Sequence, residues 1–291
     1  MTSLPTQPLA LSGGSVPRQR GYLQRPDCRI YYEVTGEGPA LVFGHGLGGN
    51  HLSWWQQVGH FAGSHRCVTF SHRGFAPSDT PPGGPDPAAY AGDLAALLGH
   101  LGLERPVFIG QSMGGWTGIS FALAHPGALR GLVLSATSGP VDPRRSGEAA
   151  ADAFARWSEA VAPQQKANAA RGVHPAMGAR GAAEQPALHF LYRAIDEMSV
   201  ELDKESLRRR LYEARTRPAS DLAAIGLPTL WITGAEDVVF ASPIVPHLLA
   251  AMPRARHVEI AAAGHSTYFE RPAAFNAALA GFLRELDGPA A

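Results

Sequence analysis

Four short segments hold residue types that could act together on a carbonyl carbon. The first is Gly110-Gln111-Ser112-Met113-Gly114, a hydroxyl set between two glycines. That spacing suits a sharp turn from strand to helix, which strains the serine backbone and lifts its hydroxyl above a sheet. A side chain at Gly110 or Gly114 would collide with so tight a turn. The helix that opens behind Ser112 favours negative charge developing in front of it. Nucleophilic attack by Ser112 is the chemistry this arrangement implies.

A serine nucleophile needs a base, and twelve histidines are available. His265 stands out because it follows the expected strand His257–Ile260 through the small-residue loop Ala261-Ala262-Ala263-Gly264. Loops at the C-terminal ends of parallel strands are where such sheets place their sites. His45 is the competitor and is read as orienting its own loop. The acid to orient the imidazole is Asp237, in Gly234-Ala235-Glu236-Asp237 after the run Thr229–Thr233. It would accept the Nδ1–H and stabilise the imidazolium. Glu236 is the neighbouring alternative and Asp142, near the end of an earlier strand, a weaker one; Asp237 joins Ser112 and His265 in the order Ser…Asp…His of a nucleophile-elbow enzyme.

Acyl transfer also needs backbone N–H donors for the tetrahedral oxyanion. Met113, directly after the nucleophile, supplies one, and the segment Phe43-Gly44-His45-Gly46-Leu47-Gly48-Gly49 should supply the other, with Leu47 the residue of choice. The same run also spells Gly44-x-Gly46-x-x-Gly49, a dinucleotide fingerprint, which calls for an acidic residue ~20 positions on. What stands there is Ser71-His72-Arg73, without a carboxylate. Arg73 could accommodate a 2′-phosphate, so a nicotinamide cofactor stays open as a rival.

The elements that must position these groups alternate. Strands are expected at Arg29–Val34, Ala40–Phe43, Val68–Phe70, Val107–Ile109, Leu132–Leu134, Thr229–Thr233 and His257–Ile260. Helical patterns fall at Trp54–Phe61, Pro87–Leu101, Met113–Ala124, Ile244–Met252 and Pro272–Leu286. This is the rhythm of an α/β fold with a mostly parallel sheet. Between about Gly139 and Gly226 it changes to helices only, around Ala149–Val161, Leu188–Met198 and Glu205–Arg215, with an irregular connection at Lys166–Ala183.

The chain has 291 residues, long enough for a sizeable core without disulfide or metal staples. Twenty-five basic residues balance twenty-five acidic ones, which argues against a nucleic-acid partner. Nothing approaches the ~18 consecutive apolar residues of a membrane span. The opening stretch to Val16 lacks the basic start and apolar run of a secretory leader, so a loose tail on a cytoplasmic protein is expected. Cys28 and Cys67 are expected to be idle thiols, and no metal site is expected.

Taken together, Gly44-His45-Gly46-Leu47-Gly48-Gly49, Arg73-Gly74-Phe75 with Ser78-Asp79, Gly110-Gln111-Ser112-Met113-Gly114-Gly115, Gly234-Ala235-Glu236-Asp237 and Gly264-His265 resemble the alpha/beta-hydrolase superfamily. The likeness runs from about Tyr22 to Leu286 and is nearest to small bacterial esterases, enol-lactonases and carbon–carbon bond hydrolases. It implies an eight-stranded, mostly parallel sheet flanked by helices and a Ser112–His265–Asp237 triad. It also implies a Leu47/Met113 oxyanion hole and no cofactor. Residues 1–17 would then be a flexible tail, 18–138 and 227–291 the core domain, and 139–226 a helical cap. Ser71 and Ala76 depart from the family pattern in a structural loop. Ser266 stands where the carbon–carbon hydrolases usually carry Trp, which weighs against that branch.

The expected substrate is a small to medium, largely apolar ester or lactone. Trp157, Phe190, Tyr192 and Met198 are the expected substrate-binding residues, with Phe154 and His189 as further cap-side candidates. The stripe Phe154/Trp157/Val161 also fits simple packing. Arginines of the insert could clamp a carboxylated substrate, although most should be solvated. A carbon–carbon hydrolase and a slow-turnover ligand receptor are the alternatives, and the choice between monomer and homodimer is open.

Overall fold

The computed structural model describes residues 9–11 and 14–288. Leu9–Leu11 (β1) and Gly14–Val16 (β2) pair antiparallel, so part of the stretch expected as a loose tail is paired with itself. The rest of that stretch up to residue 13 lies outside the described residues. The chain continues through β3 (Arg18–Gln24), β4 (Arg29–Thr35), β5 (Ala40–Gly44), α1 (Trp55–Phe61), β6 (Arg66–Phe70), α2 (Tyr90–Leu101), β7 (Val107–Gln111), α3 (Met113–Ala124) and β8 (Gly131–Ser135). Four helices follow: α4 (Glu148–Ala170), α5 (Ala179–Glu184), α6 (Pro186–Glu197) and α7 (Lys204–Glu213). Then come β9 (Thr229–Gly234), α8 (Val245–Leu249), β10 (Ala255–Ile260), α9 (Thr267–Glu270) and α10 (Pro272–Asp287).

The main sheet has eight strands in the order β10-β9-β8-β7-β5-β6-β4-β3. Only the pairings of β4 with β3 and with β6 are antiparallel. The adjacent strands β5, β7, β8 and β9 are short, mostly apolar runs, as expected for strands covered on both faces. Side-chain alternation splits them between two cores. Val42, Phe108, Leu132 and Leu134 pack with α2, α3 and α8, through residues such as Leu94, Ile119 and Leu248. Leu41, Phe43, Ile109, Val133 and Ile232 pack on the other face with Phe61 of α1 and Phe275, Leu279 and Phe282 of α10. A third cluster joins Met113 and Trp116 of α3 to Leu207 and Leu211 of α7, which seats the insert over the sheet's rim.

The chain steps from β5 to β6 on one side and then to β7 on the other. The loops leaving β5 and β7 therefore diverge, and a crevice opens at the C-terminal ends of the parallel strands. Strand register brings the four chemistry-bearing segments to that rim. Gly44 stands opposite Gly110, Gln111 opposite Ser135, and Gly234 opposite Ile260.

Three expectations need correction. Strand β3 has no counterpart among the strands read individually from the sequence, because Arg18-Gln19-Arg20-Gly21 lacks the apolar character that marked the others. Helix α4 runs on through Pro163 to Ala170 instead of ending at Val161. Pro163 forfeits one helical hydrogen bond, and the alanines after it sustain the helix. Part of the Lys166–Ala183 stretch expected to be irregular is thus helical, in the end of α4 and the start of α5.

Candidate active site

Ser112 lies between the end of β7 and the first residue of α3, with φ 50° and ψ −112°, in the positive-φ region that side chains rarely adopt. Three hydrogen bonds hold it there. Its N–H donates to the Ser135 carbonyl at 2.9 Å, and its carbonyl accepts from Gly115 N–H at 2.9 Å and from Thr137 Oγ1 at 2.8 Å. The strain is therefore set by the surrounding structure.

His265 and Asp237 are both buried, at 4% and 5% exposure. His265 Nδ1 is 2.9 Å from Asp237 Oδ2. A carboxylate oxygen accepts, so Nδ1 is the donor in this pair. The other carboxylate oxygen of Asp237 accepts from the N–H groups of Val239 at 2.7 Å and Phe240 at 2.9 Å. Asp237 is thus held from both sides. The two alternative acids are engaged elsewhere: Glu236 takes the Arg180 guanidinium at 2.8 Å, and Asp142 caps its own turn and pairs with Arg144.

Ser112, Met113, Leu47 and His265 all line one cavity of about 320 Å³ beneath the insert. Among the described residues no hydrogen bond joins Ser112 Oγ to His265 Nε2; such bonds are often long until substrate is bound. As the first residue of α3, Met113 has no helical acceptor for its N–H. The Leu47 N–H likewise has no protein acceptor among the described residues. His45 is fully buried, with Nδ1 2.8 Å from the Gly46 carbonyl and Nε2 accepting from His72 N–H at 2.9 Å. Burial pulls its pKa down to about 3, so it stays neutral and pins the loop that carries Leu47.

Arg73 is spoken for as well. Its guanidinium meets Asp93 at 2.6 and 2.7 Å and Asp27 at 2.7 Å, which leaves nothing for a 2′-phosphate. That pairing takes away the residue on which the dinucleotide reading rested.

A family model of the alpha/beta hydrolase fold matches residues 39–272. The chain belongs to this family. It is 28% identical over 279 residues to a protein of Azorhizobium caulinodans that carries the name carbamate hydrolase RutD, covering 91% of this chain and 99% of that one. It is 26% identical over 273 residues to 3-oxoadipate enol-lactonase 2 of Acinetobacter baylyi, covering 91% and 97%. Among solved structures, a thermophilic esterase of Thermogutta terrifontis superposes with a TM-score of 0.72 at 26% identity, covering 92% of this chain and 99% of the other.

The substrate-binding residues expected from the sequence of this alpha/beta hydrolase fare unevenly. Tyr192 lines the cavity, with its hydroxyl 3.2 Å from Ser266 Oγ. Phe190 does not; it is 74% exposed on the outer side of α6. Met198 is also largely exposed, its sulfur accepting from Asn50. Trp157 packs against the main core instead of the cavity, whereas its neighbour Phe154 reaches a second, 70 Å³ cavity that also contains Ser112 and His265. Helical spacing located the apolar residues of the insert but not the direction in which each helix faces.

Sequence reasoning missed His174, Asp196, Lys204 and Arg215, which line the larger cavity. Asp196 sits 2.7 Å from Lys204 Nζ and 3.4 Å from His174 Nε2. Burial works to raise its pKa, but the hydrogen bonds from His174 and Lys204 prevail and hold it below its ordinary value. For Arg215 the signal was the density of charge in Glu205–Arg215, which also describes a solvated helix face; His174, Asp196 and Lys204 lie outside that run. Among the described residues no helix is long and apolar enough to cross a membrane, and no cluster of three metal-ligating side chains occurs.

Proposed function

We propose that this alpha/beta hydrolase is a serine hydrolase that cleaves carboxylic esters or lactones through an acyl-enzyme on Ser112. The observation that carries the reading is the His265–Asp237 pair at 2.9 Å opening onto the cavity that holds Ser112. Its membership of the family and the esterase and enol-lactonase among its relatives support hydrolase activity.

In this reading Ser112 Oγ attacks the carbonyl carbon while His265 Nε2 takes its proton, and Asp237 stabilises the imidazolium. The carbonyl oxygen becomes an oxyanion that accepts from the Leu47 and Met113 N–H groups. Collapse breaks the carbon–oxygen bond, and His265 returns the proton to the leaving alkoxide. Water then attacks the acyl-enzyme with His265 again as base, releasing the acid and restoring Ser112. A lactone follows the same course, with both products remaining in one hydroxy acid. The insert of residues 139–226 acts as the cap that shapes the acyl pocket, with Tyr192 on its wall.

The test is Ser112→Ala on a panel of short-chain ethyl esters and lactones. Turnover should fall by roughly 10³-fold or more with the fold kept. A fluorophosphonate should label the wild-type chain stoichiometrically at Ser112 and leave the variant unlabelled. Activity that survives the substitution refutes the assignment, and labelling without steady turnover of any panel member points to a receptor instead.

A further inference from the structure

Besides Tyr192 and Tyr212, five titratable side chains of the insert line the larger cavity: His174, Asp196, Lys204, Arg208 and Arg215. Four of them have partners. Lys204 and His174 converge on Asp196, and Arg208 pairs with Glu205. Arg215 differs. Its backbone is anchored by a 3.2 Å hydrogen bond to the Tyr212 carbonyl, but its guanidinium has no carboxylate partner among the described residues. Its Nε is buried with no hydrogen-bond acceptor. Asp142, the acid nearest in influence, has both carboxylate oxygens engaged by Arg144 at 2.9 Å.

The guanidinium lies over Trp116, whose ring centre is 5.7 Å from the guanidinium carbon. An aromatic face attracts a cation but satisfies none of its N–H donors. Burial pulls the pKa of Arg215 below its ordinary value, yet an arginine keeps its charge throughout the working pH range. A half-buried, permanently charged group with a buried N–H and no acceptor for it is costly unless something else completes it.

Its location indicates what that would be. Arg215 lines both the larger cavity and the 70 Å³ cavity beside it, and so do Ser112, Trp116, Val239 and His265. The smaller space is only 70 Å³, so a substrate lodged there with its carbonyl at Ser112 has room for only a short acyl chain. We propose that Arg215 is a specificity residue that binds a carboxylate carried by the substrate, and that the preferred substrates are half-esters of short dicarboxylic acids or lactones bearing a free carboxylate. This rests on the hydrolase reading above and narrows its substrate class. A planar guanidinium presents paired N–H donors that match the two oxygens of a carboxylate, which a lysine at the same place would not.

The experiment compares substrates that differ only in the terminal group: monoethyl succinate against ethyl butyrate, and monoethyl glutarate against ethyl valerate, followed by released ethanol. The wild type should favour the anionic member of each pair in kcat/KM. In Arg215→Met that preference should shrink by roughly 10- to 100-fold, chiefly through KM, and Arg215→Lys should recover part of it. A ratio unchanged by Arg215→Met overturns the proposal. So does a result in which the substitution only weakens inhibition by butyrate, because the guanidinium would then serve the carboxylate made by the reaction.

Binding separates this proposal from the catalytic one. Calorimetry on Ser112→Ala should show monoethyl succinate binding more tightly than diethyl succinate, and the difference should vanish in Ser112→Ala/Arg215→Met. Equal binding of the two esters to Ser112→Ala overturns the Arg215 proposal even if every ester is turned over. If no ester is turned over, a clear difference in binding still supports it. Should Arg215→Met fail to fold, the comparison of the two ligands on Ser112→Ala remains decisive.

Discussion

Gly44, at the end of β5, packs directly against Gly114 in the first turn of α3. A Cβ on Gly114 would run into the Gly44 carbonyl, and one on Gly44 would come within 3.5 Å of the Gly114 Cα. The close approach of strand and helix sets the spacing between the Leu47 loop, which follows β5, and the Met113 N–H. Gly114→Ala should push them apart. Overpacking of this kind costs roughly 1–3 kcal/mol. A misplacement of about 1 Å at a catalytic group can cost about 10²-fold in rate. Thermal unfolding and kcat on a short-chain ester measure the two effects. A variant that unfolds earlier but turns over at the wild-type rate would separate the packing from the proposed oxyanion site.

Asp237→Asn tests the His265 tautomer. The amide keeps the size of the carboxylate, but if its NH₂ faces Nδ1, the ring must place its proton on Nε2, the atom that should receive one from Ser112. Asp237 also accepts two backbone N–H groups, so the amide oxygen is drawn towards those and the NH₂ towards His265. A loss of roughly 10³- to 10⁴-fold in kcat is expected, with little change in KM. The measurement is steady-state kinetics beside Ser112→Ala, and a loss below about tenfold would remove Asp237 from the proposed role.

The rim of the sheet was the legible part of this molecule. Gly110 to Gly114, Asp237 and His265 each follow a short strand-like run, and parallel strands in register bring such ends together. The insert was legible only as helices. Phe190 and Tyr192 are two positions apart on α6, which turns them to different sides, yet composition treats both as apolar wall candidates. Which side meets the cavity depends on tertiary contacts, here Tyr192 against Phe269 and His174. Arg215 was hidden for the opposite reason. It was one of several insert arginines, most of them expected to be solvated, and its place beside Trp116 on the cavity wall singles it out.

That difference on α6 is directly measurable. Phe190→Ala should leave KM for a short-chain ester within about twofold of the wild type, since surface substitutions rarely exceed ±0.5 kcal/mol. Tyr192→Ala, which opens the wall beside Ser266, should raise KM by roughly tenfold or more. Equal effects from the two substitutions would mean that α6 turns its other face to the substrate.

Stability should fall as the solution becomes mildly acidic, because buried histidines near the rim are held neutral. Burial brings His45 down to about 3 and His51 to about 4, and His72 is lowered well below its ordinary value. His45 and His72 lie edge to face 4.5 Å apart, so charging one opposes charging the other. Glu33, 3.6 Å from His51, works in the opposite direction but does not prevail over burial. In the unfolded chain these rings take up protons near pH 6.5, whereas the folded chain resists, so the unfolded state binds more protons below that point. The contribution is therefore complete above about pH 6.5 and is lost as pH falls towards 4, with each ring adding up to about 1.4 kcal/mol per pH unit. Glu270, raised by burial, runs the other way but is one group against three. Urea unfolding between about pH 7.5 and 5 should show a falling midpoint, with a shallower fall in His51→Asn. A midpoint that does not move over that range would contradict the buried, neutral state of these rings.

Glu270 joins the His265 loop to the insert. Its buried carboxylate accepts from Gly264 N–H at 3.0 Å and Gly178 N–H at 3.1 Å on one oxygen, and from Ser266 N–H at 3.3 Å on the other. Two of these donors flank His265 in sequence, and the third belongs to the segment just before α5. Glu270→Gln replaces one accepting oxygen with an NH₂ that must face a backbone N–H, leaving a buried donor unpaired at about 1–3 kcal/mol. The amide oxygen can keep either the Gly264 and Gly178 pair or Ser266, but not all three. The expected outcome is a lower melting temperature together with a drop in kcat, because the turn that aims His265 loses one of its holds. Glu270→Asp keeps the charge but shortens the reach, and should lose the bond to the insert before those within its own turn. Hydrogen exchange at Gly178, Gly264 and Ser266 reads the three bonds separately, and unchanged protection at all three in Glu270→Gln would show that the carboxylate is not what holds them.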